Sequence, residues 1–154
     1  MTAPASLVTS PLLGRHLAGI GWSESYRWDP GAARLANKRV GLGWHEAAEV
    51  FLLECGGLTL RAGASGGVLL FTDPVAALVP LDRGFGPECE SWAGESLVAI
   101  GTARDGEVIL MRAAGGRYFG RRGDVLVAYG ENFDCLLGSR IGEFRFESPS
   151  SLWN

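Results

Sequence analysis

The stretch "WHEAAEVFLLECGGLTL", residues 44–60, passes from a helical pattern to a strand-like one without an intervening loop. Its apolar residues recur at the spacing of one helix face: Trp44, Ala48, Phe51, Leu52 and Cys55. Gly56 and Gly57 can adopt the left-handed conformation that ends a helix, and the "LTLRA" that follows predicts a strand. Because apolar side chains carry this pattern, we interpret the stretch as scaffold rather than as a reactive site.

Downstream of residue 60 the hydrophobic period shortens to that of β-strands. Five short segments are rich in β-branched or aromatic residues: 67–73, 96–103, 107–113, 117–121 and 124–130. Asp105-Gly106 and Gly115-Gly116 separate three of these segments at the spacing of tight hairpins. This half of the chain therefore predicts an antiparallel meander.

Further helices are predicted where a capping residue precedes a proline. Ser10-Pro11 begins one helix, and Asp29-Pro30 precedes another in "GAARLANKRV". Residues 74–92 predict a helical turn and then an exposed loop, because prolines and glycines follow the turn. Near the end, "ENFDCLLGSRI" predicts a short helix ended by Gly138.

The order of helices, strands and one more helix indicates an α+β domain. We expect a mostly antiparallel sheet of about five or six strands, with the helices covering one face. A chain of 154 residues has room for one such domain. We assign residues 1–9 to a flexible N-terminal tail, 10–143 to a single domain and 144–154 to a C-terminal tail.

Charge and cysteine content restrict the partners of the chain. Its 17 acidic and 14 basic side chains give a formal net charge of -3, which disfavours binding to nucleic acid. Cys55, Cys89 and Cys135 are odd in number and widely spaced, which is typical of reduced thiols in a cytosol. The chain has neither a secretory pattern at its start nor the run of about 18 apolar residues of a membrane span. We expect a cytoplasmic protein with no membrane partner.

Few residues are placed for chemistry. Only His16 and His45 could activate a cysteine, and Cys55 points away from His45 on the same predicted helix. No Cys or His spacing matches a zinc site. The "GASGG" at 63–67 lacks the Lys-Ser/Thr of a phosphate-binding loop and indicates a hairpin loop, and the "RGD" at 122–124 indicates a turn. We therefore predict no catalytic residue, metal ligand or cofactor, and no enzymatic activity.

Trp92 lies in "FGPECESWAGE", where three carboxylates surround it in sequence: Glu88, Glu90 and Glu95. An aromatic side chain ringed by carboxylates is typical of a protein-binding patch. The alternative is that Trp92 covers an edge of the core, as large rings commonly do. We name these four residues as candidate partner-binding residues.

Several landmarks, in order, resemble the SUKH superfamily of bacterial immunity proteins, and especially its third subfamily. They span roughly residues 12–138 and begin with "LAGIGW" at 17–22 and W-x₂-A-A-x₂-F-L-x₃-G-G-L at 44–58. "FTDP" at 71–74, "LVAIG" at 97–101, "RDGEV" at 104–108 and F-x₂-L-L-G at 133–138 follow. The helix with Gly56 and Gly57 is the most specific of them.

The resemblance implies a SUKH-like α+β fold and a role in polymorphic toxin systems. Such a protein neutralises a cognate toxin domain, often a nuclease or deaminase, and has no catalytic residues to carry over to this sequence. The alternative is a non-catalytic cytoplasmic regulatory or small-molecule-sensing module of the same fold, since other branches of the superfamily have regulatory roles. We expect a monomer or weak homodimer whose partner is a toxin domain.

Overall fold

The computed structural model describes residues 17–61 and 68–131. These ranges contain four helices: α1 (Gly31–Arg39), α2 (Glu46–Cys55), α3 (Val75–Leu78) and α4 (Phe85–Ala93). They also contain six strands: β1 (Thr59–Arg61), β2 (Val68–Phe71), β3 (Leu97–Ala103), β4 (Val108–Ala113), β5 (Tyr118–Arg122) and β6 (Val125–Gly130). The predicted tails, the start of the first helix, the "GASGG" loop and the helix before Gly138 lie outside the described residues.

The six strands form one sheet in the order of the chain, β1-β2-β3-β4-β5-β6, and every neighbouring pair is antiparallel. The α+β class and the antiparallel meander are thereby confirmed. The predicted hairpin between β3 and β4 turns through Asp105 and Gly106, whose φ angles of 56° and 88° are left-handed. Glycine adopts that conformation without steric cost, which is why the dipeptide marks the turn.

The helices divide between the two faces of the sheet, which corrects the expectation that they cover one face. On one face α2 packs against Val98 and Ile100 of β3, and on the other α4 packs against Leu97 and Ala99. All seven residues of β3 are buried. Because side chains alternate along a strand, a run that is buried throughout must have covered surfaces on both sides.

An aromatic segment ahead of α1 holds the C-terminal end of α2. The Trp22 indole N–H donates to the carbonyl oxygen of Glu54 at 2.9 Å, and the Tyr26 hydroxyl donates to that of Gly56 at 2.6 Å. The Trp28 ring lies directly on Gly56 and Gly57. The last carbonyls of a helix have no partner within it, so these aromatic side chains stabilise the end of α2 while burying their rings.

The sheet has a narrow seam between β2 and β3. The two strands pair at only two positions, Leu70↔Ala103 and Phe71↔Thr102. Nearer the start of β3, side chains and not β2 bind the backbone groups on this side of the strand. The Glu90 carboxylate accepts a hydrogen bond from the amide of Leu97 at 2.8 Å.

Asn37 of α1 completes the same edge of β3. Its Oδ1 accepts from the amide of Ala99 at 2.7 Å, and its Nδ2 donates to the carbonyls of Ala99 at 3.1 Å and of Ala33 at 2.8 Å. Asn37 has no exposed surface. The buried amide therefore takes the place of a neighbouring strand and satisfies groups that would otherwise be costly to bury.

Candidate partner-binding site

Three of the four candidate residues lie on α4 and the fourth, Glu95, follows it, where the sequence predicted an exposed loop. Residues 85–93 instead form a helix that ends at Gly94, whose φ of 71° is left-handed. Pro87 lies in the first turn, where its missing N–H costs nothing. A Cβ on Gly86 would lie 2.2 Å from the carbonyl carbon of Gly41, so this glycine allows close packing rather than flexibility.

Glu88 and Trp92 lie one turn apart on α4 and meet at Arg121 of β5. The guanidinium of Arg121 donates to Glu88 Oε1 at 2.6 Å and lies 4.5 Å from the centre of the Trp92 ring. On its other sides it lies 4.9 Å from the Phe85 ring and donates to Cys89 Sγ at 3.1 Å. Ring stacking and charged hydrogen bonds fix this cation, and with it the two candidate residues.

Glu90 and Glu95 are placed differently. Glu90 faces the start of β3, where it binds the Leu97 amide. Glu95 follows the end of α4 and forms an ion pair with Arg117, just before β5, whose guanidinium lies 5.2 Å from the centre of the Phe119 ring. The three carboxylates thus do not ring Trp92, because each is engaged by a different part of the sheet.

The sequence analysis missed Arg117 and Arg121, which position two of the candidate carboxylates. A signal was present in "RYFGRR", because Arg117, Phe119 and Arg121 alternate along a strand and therefore share one face. Glu88 is in the first turn of α4, and Glu95 lies just beyond the last turn. The ion pairs with Arg121 and Arg117 therefore hold both ends of the helix against β5 and the residue before it.

A cleft of about 260 Å³ opens beside Arg121. The lining residues are Pro80, Leu81, Asp82, Gly84, Phe85, Glu88 and Arg121. Glu88 keeps 47% of its side chain exposed although it pairs with Arg121. The cleft thus combines apolar and charged side chains, including an exposed carboxylate.

The two described cysteines, Cys55 and Cys89, are fully buried. Burial raises the pKa of Cys55 to about 12 and also raises that of Cys89. The reactive form of cysteine is the thiolate, so at neutral pH both side chains are protonated and act as small apolar groups.

His45 begins α2 and joins it to β4. Its Nδ1 accepts a hydrogen bond from the Ala48 amide at 3.2 Å, and its Nε2 lies 3.0 Å from the Arg112 carbonyl oxygen. The neutral ring protonated on Nε2 satisfies both contacts, whereas a second proton on Nδ1 would remove the helix cap. Burial lowers the pKa of His45, and the nearby charge of Arg112 lowers it further.

We expect acid to weaken the fold through His45. Its folded pKa lies below the ordinary value of about 6.5, so the unfolded chain binds the proton more readily. The stabilisation is therefore present above about pH 6.5 and is lost as the pH falls through the folded pKa. His45→Asn, which keeps a capping oxygen, should reduce the difference in unfolding free energy between about pH 7.5 and pH 5.5, measured by urea denaturation.

His16 is the other histidine of the chain and supplies the matched control. His16→Asn should leave the pH dependence unchanged. If His16→Asn removes that dependence and His45→Asn does not, the assignment to the α2 cap is wrong.

A scan against protein-family models and searches of the curated proteins and the solved structures gave no match. The resemblance to the SUKH superfamily therefore stays a prediction. Over residues 17–61 and 68–131, no helix combines the length and the apolar character needed to cross a membrane. Within those same ranges, no three His, Cys, Asp or Glu side chains are grouped so that they could hold a metal ion.

Proposed function

We propose that this chain is an immunity protein that binds a cognate bacterial toxin domain of the nuclease or deaminase type and blocks its active site. The contact surface is the exposed side of α4 with the adjoining cleft, centred on Glu88 and Trp92. The proposal is supported chiefly by one arrangement: an aromatic ring and a half-exposed carboxylate held in place by Arg121.

Such an arrangement favours tight binding for a physical reason. A side chain that is ordered before the partner arrives loses little conformational entropy on binding, and long side chains otherwise lose about 0.5–1.5 kcal/mol each. Tryptophan and arginine are also the residues that most often dominate the energy of protein interfaces. Trp92 is partly buried against the core cluster that includes Phe85, as the alternative interpretation predicted, and Arg121 is only 14% exposed. Arg121 therefore orders Trp92 and Glu88 for a partner and does not act as an anchor itself.

The charge of the surface suits a partner that acts on nucleic acid. The active-site groove of such a toxin is basic because it must hold phosphates. Glu88 is exposed enough to meet such a groove, and the net charge of -3 favours the encounter. Glu90 and Glu95 contribute indirectly, by holding β3 and β5 against α4.

The test starts from the reading frame immediately upstream in the genome, which we expect to encode a secreted protein with a toxin-like C-terminal domain, and co-expresses that domain with this chain. We expect growth to be rescued, the two proteins to co-purify and association to slow as ionic strength rises.

Glu88→Gln should slow association about fivefold at low salt, since a charge at the rim acts mainly on the association rate. Stopped-flow tryptophan fluorescence would measure that rate.

Glu107→Gln is the matched control, because Glu107 is 52% exposed and also pairs with an arginine, Arg122. Arg122 directly follows Arg121 in β5, so their side chains point to opposite faces of the sheet, and Glu107→Gln should leave the rate unchanged. No rescue and no complex would refute the immunity function. A complex that is indifferent to Glu88→Gln would instead refute the α4 surface as the contact.

A small-molecule-sensing module is the second candidate, and the cleft beside Arg121 is the observation that favours it. Pockets for small ligands usually measure about 300–1,000 Å³, so this cleft of about 260 Å³ is at the lower limit. A rise in melting temperature with a metabolite, abolished by Arg121→Leu, would support sensing over toxin binding.

A further inference from the structure

The face of the molecule formed by α1 and α3 exposes the two most accessible large apolar side chains of the described residues. Leu35 is 71% exposed and Val79 is 67% exposed. Neither belongs to the two apolar clusters that form the core. Single exposed apolar residues are common, so the inference depends on what lies between and around them.

Arg39 places Leu35 and Val79 on the same face. Leu35 and Arg39 are four residues apart on α1, so they lie one above the other on one side of the helix. The Arg39 guanidinium then reaches α3 and donates to the carbonyls of Leu78, Val79 at 3.2 Å and Leu81 at 2.9 Å. An arginine thus bridges two helices with an exposed apolar side chain on each side of it.

A second cation lies beside this pair. Lys38 lies three residues after Leu35, on the same exposed side of α1. Within the described ranges, neither Lys38 nor Arg39 forms an ion pair with a carboxylate, whereas Arg121 and Arg122 of β5 and Arg117 just before it all do.

One carboxylate lies nearby. Asp82 follows α3, where its Oδ1 accepts a hydrogen bond from the Gly84 amide at 2.8 Å, and its charge offsets one of the two cations. The face keeps a local excess of positive charge on a chain whose net charge is -3. Cations beside exposed apolar groups fit a partner surface of opposite charge that also has apolar side chains.

We propose that the α1–α3 face, defined by Leu35, Lys38, Arg39 and Val79, is a second docking surface, which binds an acidic protein segment bearing apolar side chains. The proposal does not rest on the toxin-binding function, because the face is formed by other residues than Glu88 and Trp92. The α4 surface then binds a basic partner, and the α1–α3 face binds an acidic one. A protein is favoured over nucleic acid because Leu35 and Val79 would find no phosphate or sugar to match them.

The test uses a defined probe. An amphipathic peptide of about 14 residues, with leucines at helical spacing and glutamates elsewhere, is compared with its glutamine counterpart. In ¹⁵N-resolved titrations of the full chain, the acidic peptide should shift the amide signals of Leu35, Lys38 and Val79. The glutamine peptide should bind about tenfold more weakly, as should the acidic peptide to Leu35→Ser/Val79→Ser or to Lys38→Glu.

Ile20→Ser and Arg122→Glu are the matched controls, since Ile20 is 39% exposed and Arg122 is 50% exposed at other places on the surface. Both should leave peptide binding unchanged. The proposal is overturned if the acidic peptide does not bind up to about 1 mM, if both peptides bind equally, or if the shifts lie on α4. It is also overturned if the face binds a DNA duplex, phosphatidylserine vesicles or a second copy of the chain in preference to the peptide.

Discussion

Asn37→Asp should lower the free energy of unfolding by about 3–5 kcal/mol at neutral pH, although the side chain keeps its shape. The carboxylate would lose the donor that binds the carbonyls of Ala33 and Ala99, and it would be a buried charge without a partner. Urea denaturation measures the change. The same variant should also lose the close link between α1 and β3, since Asn37 spans 62 positions of sequence to reach Ala99.

The pH dependence of this variant gives a second readout. Burial raises the pKa of a new aspartate, and the protonated form regains one hydrogen-bond donor. The deficit in stability should therefore shrink as the pH falls through the raised pKa. Asp29→Asn is the matched control at the exposed start of the same helix, where Asp29 Oδ1 accepts from the Gly31 amide at 2.9 Å. It should cost under about 1 kcal/mol, and an equal loss in both variants would contradict the role given to Asn37.

Gly56→Ala should lower the free energy of unfolding by about 2–3 kcal/mol through steric overlap alone. The backbone of Gly56 has φ -73°, which alanine adopts freely, but a Cβ there would lie 2.2 Å from Trp28 Cε3 and 2.5 Å from the Leu52 carbonyl oxygen. Trp28 cannot withdraw easily, because its own amide donates to the Leu53 carbonyl at 2.9 Å. Loss of Trp28 packing should appear in the near-UV circular dichroism as well as in urea denaturation.

Gly84→Ala is the control for this effect. Gly84 has a similar φ of -75°, and a Cβ there would have one neighbour, the exposed side-chain oxygen of Asp82 at 3.2 Å. We expect a change within about 0.5 kcal/mol. Comparable losses at Gly56 and Gly84 would show that the aromatic segment does not constrain the end of α2.

Local patterns were sufficient to predict α2, the left-handed Gly57 after it and the strands of the meander, whereas Gly56 is extended and not left-handed. They were not sufficient for the placement of helices on both faces of the sheet, although the sequence contained a sign of it. Residues 97–100, "LVAI", form a continuous apolar run, which is typical of a strand covered on both sides rather than on one. The prediction of one covered face gave too little weight to that run.

The loop predicted in place of α4 was wrong because glycine and proline were interpreted as signals of local flexibility. Gly86 is required by the contact with Gly41, and Pro87 is tolerated by its position in the first turn. Both reasons depend on a neighbour that is distant in sequence. A single sequence shows the residue type but not the contact that selects it.

The candidate site was predicted in its residues but not in its geometry. The carboxylates around Trp92 were visible in the sequence, whereas their partners Arg117 and Arg121 lie on another element. Ion pairs between a helix and a strand have no fixed sequence spacing, in contrast to pairs within one helix. The hydrogen bonds from the edge of β3 to Asn37 and Glu90 could not be predicted for the same reason.

The seam between β2 and β3 bears on how the chain acquires its fold. Strands β3 to β6 are consecutive in sequence and pair through short turns, so they can assemble early and quickly. The β1–β2 hairpin joins them through only two residue pairs. We infer that the hairpin attaches late and detaches first, so that slow hydrogen exchange should be confined to the four-stranded part of the molecule.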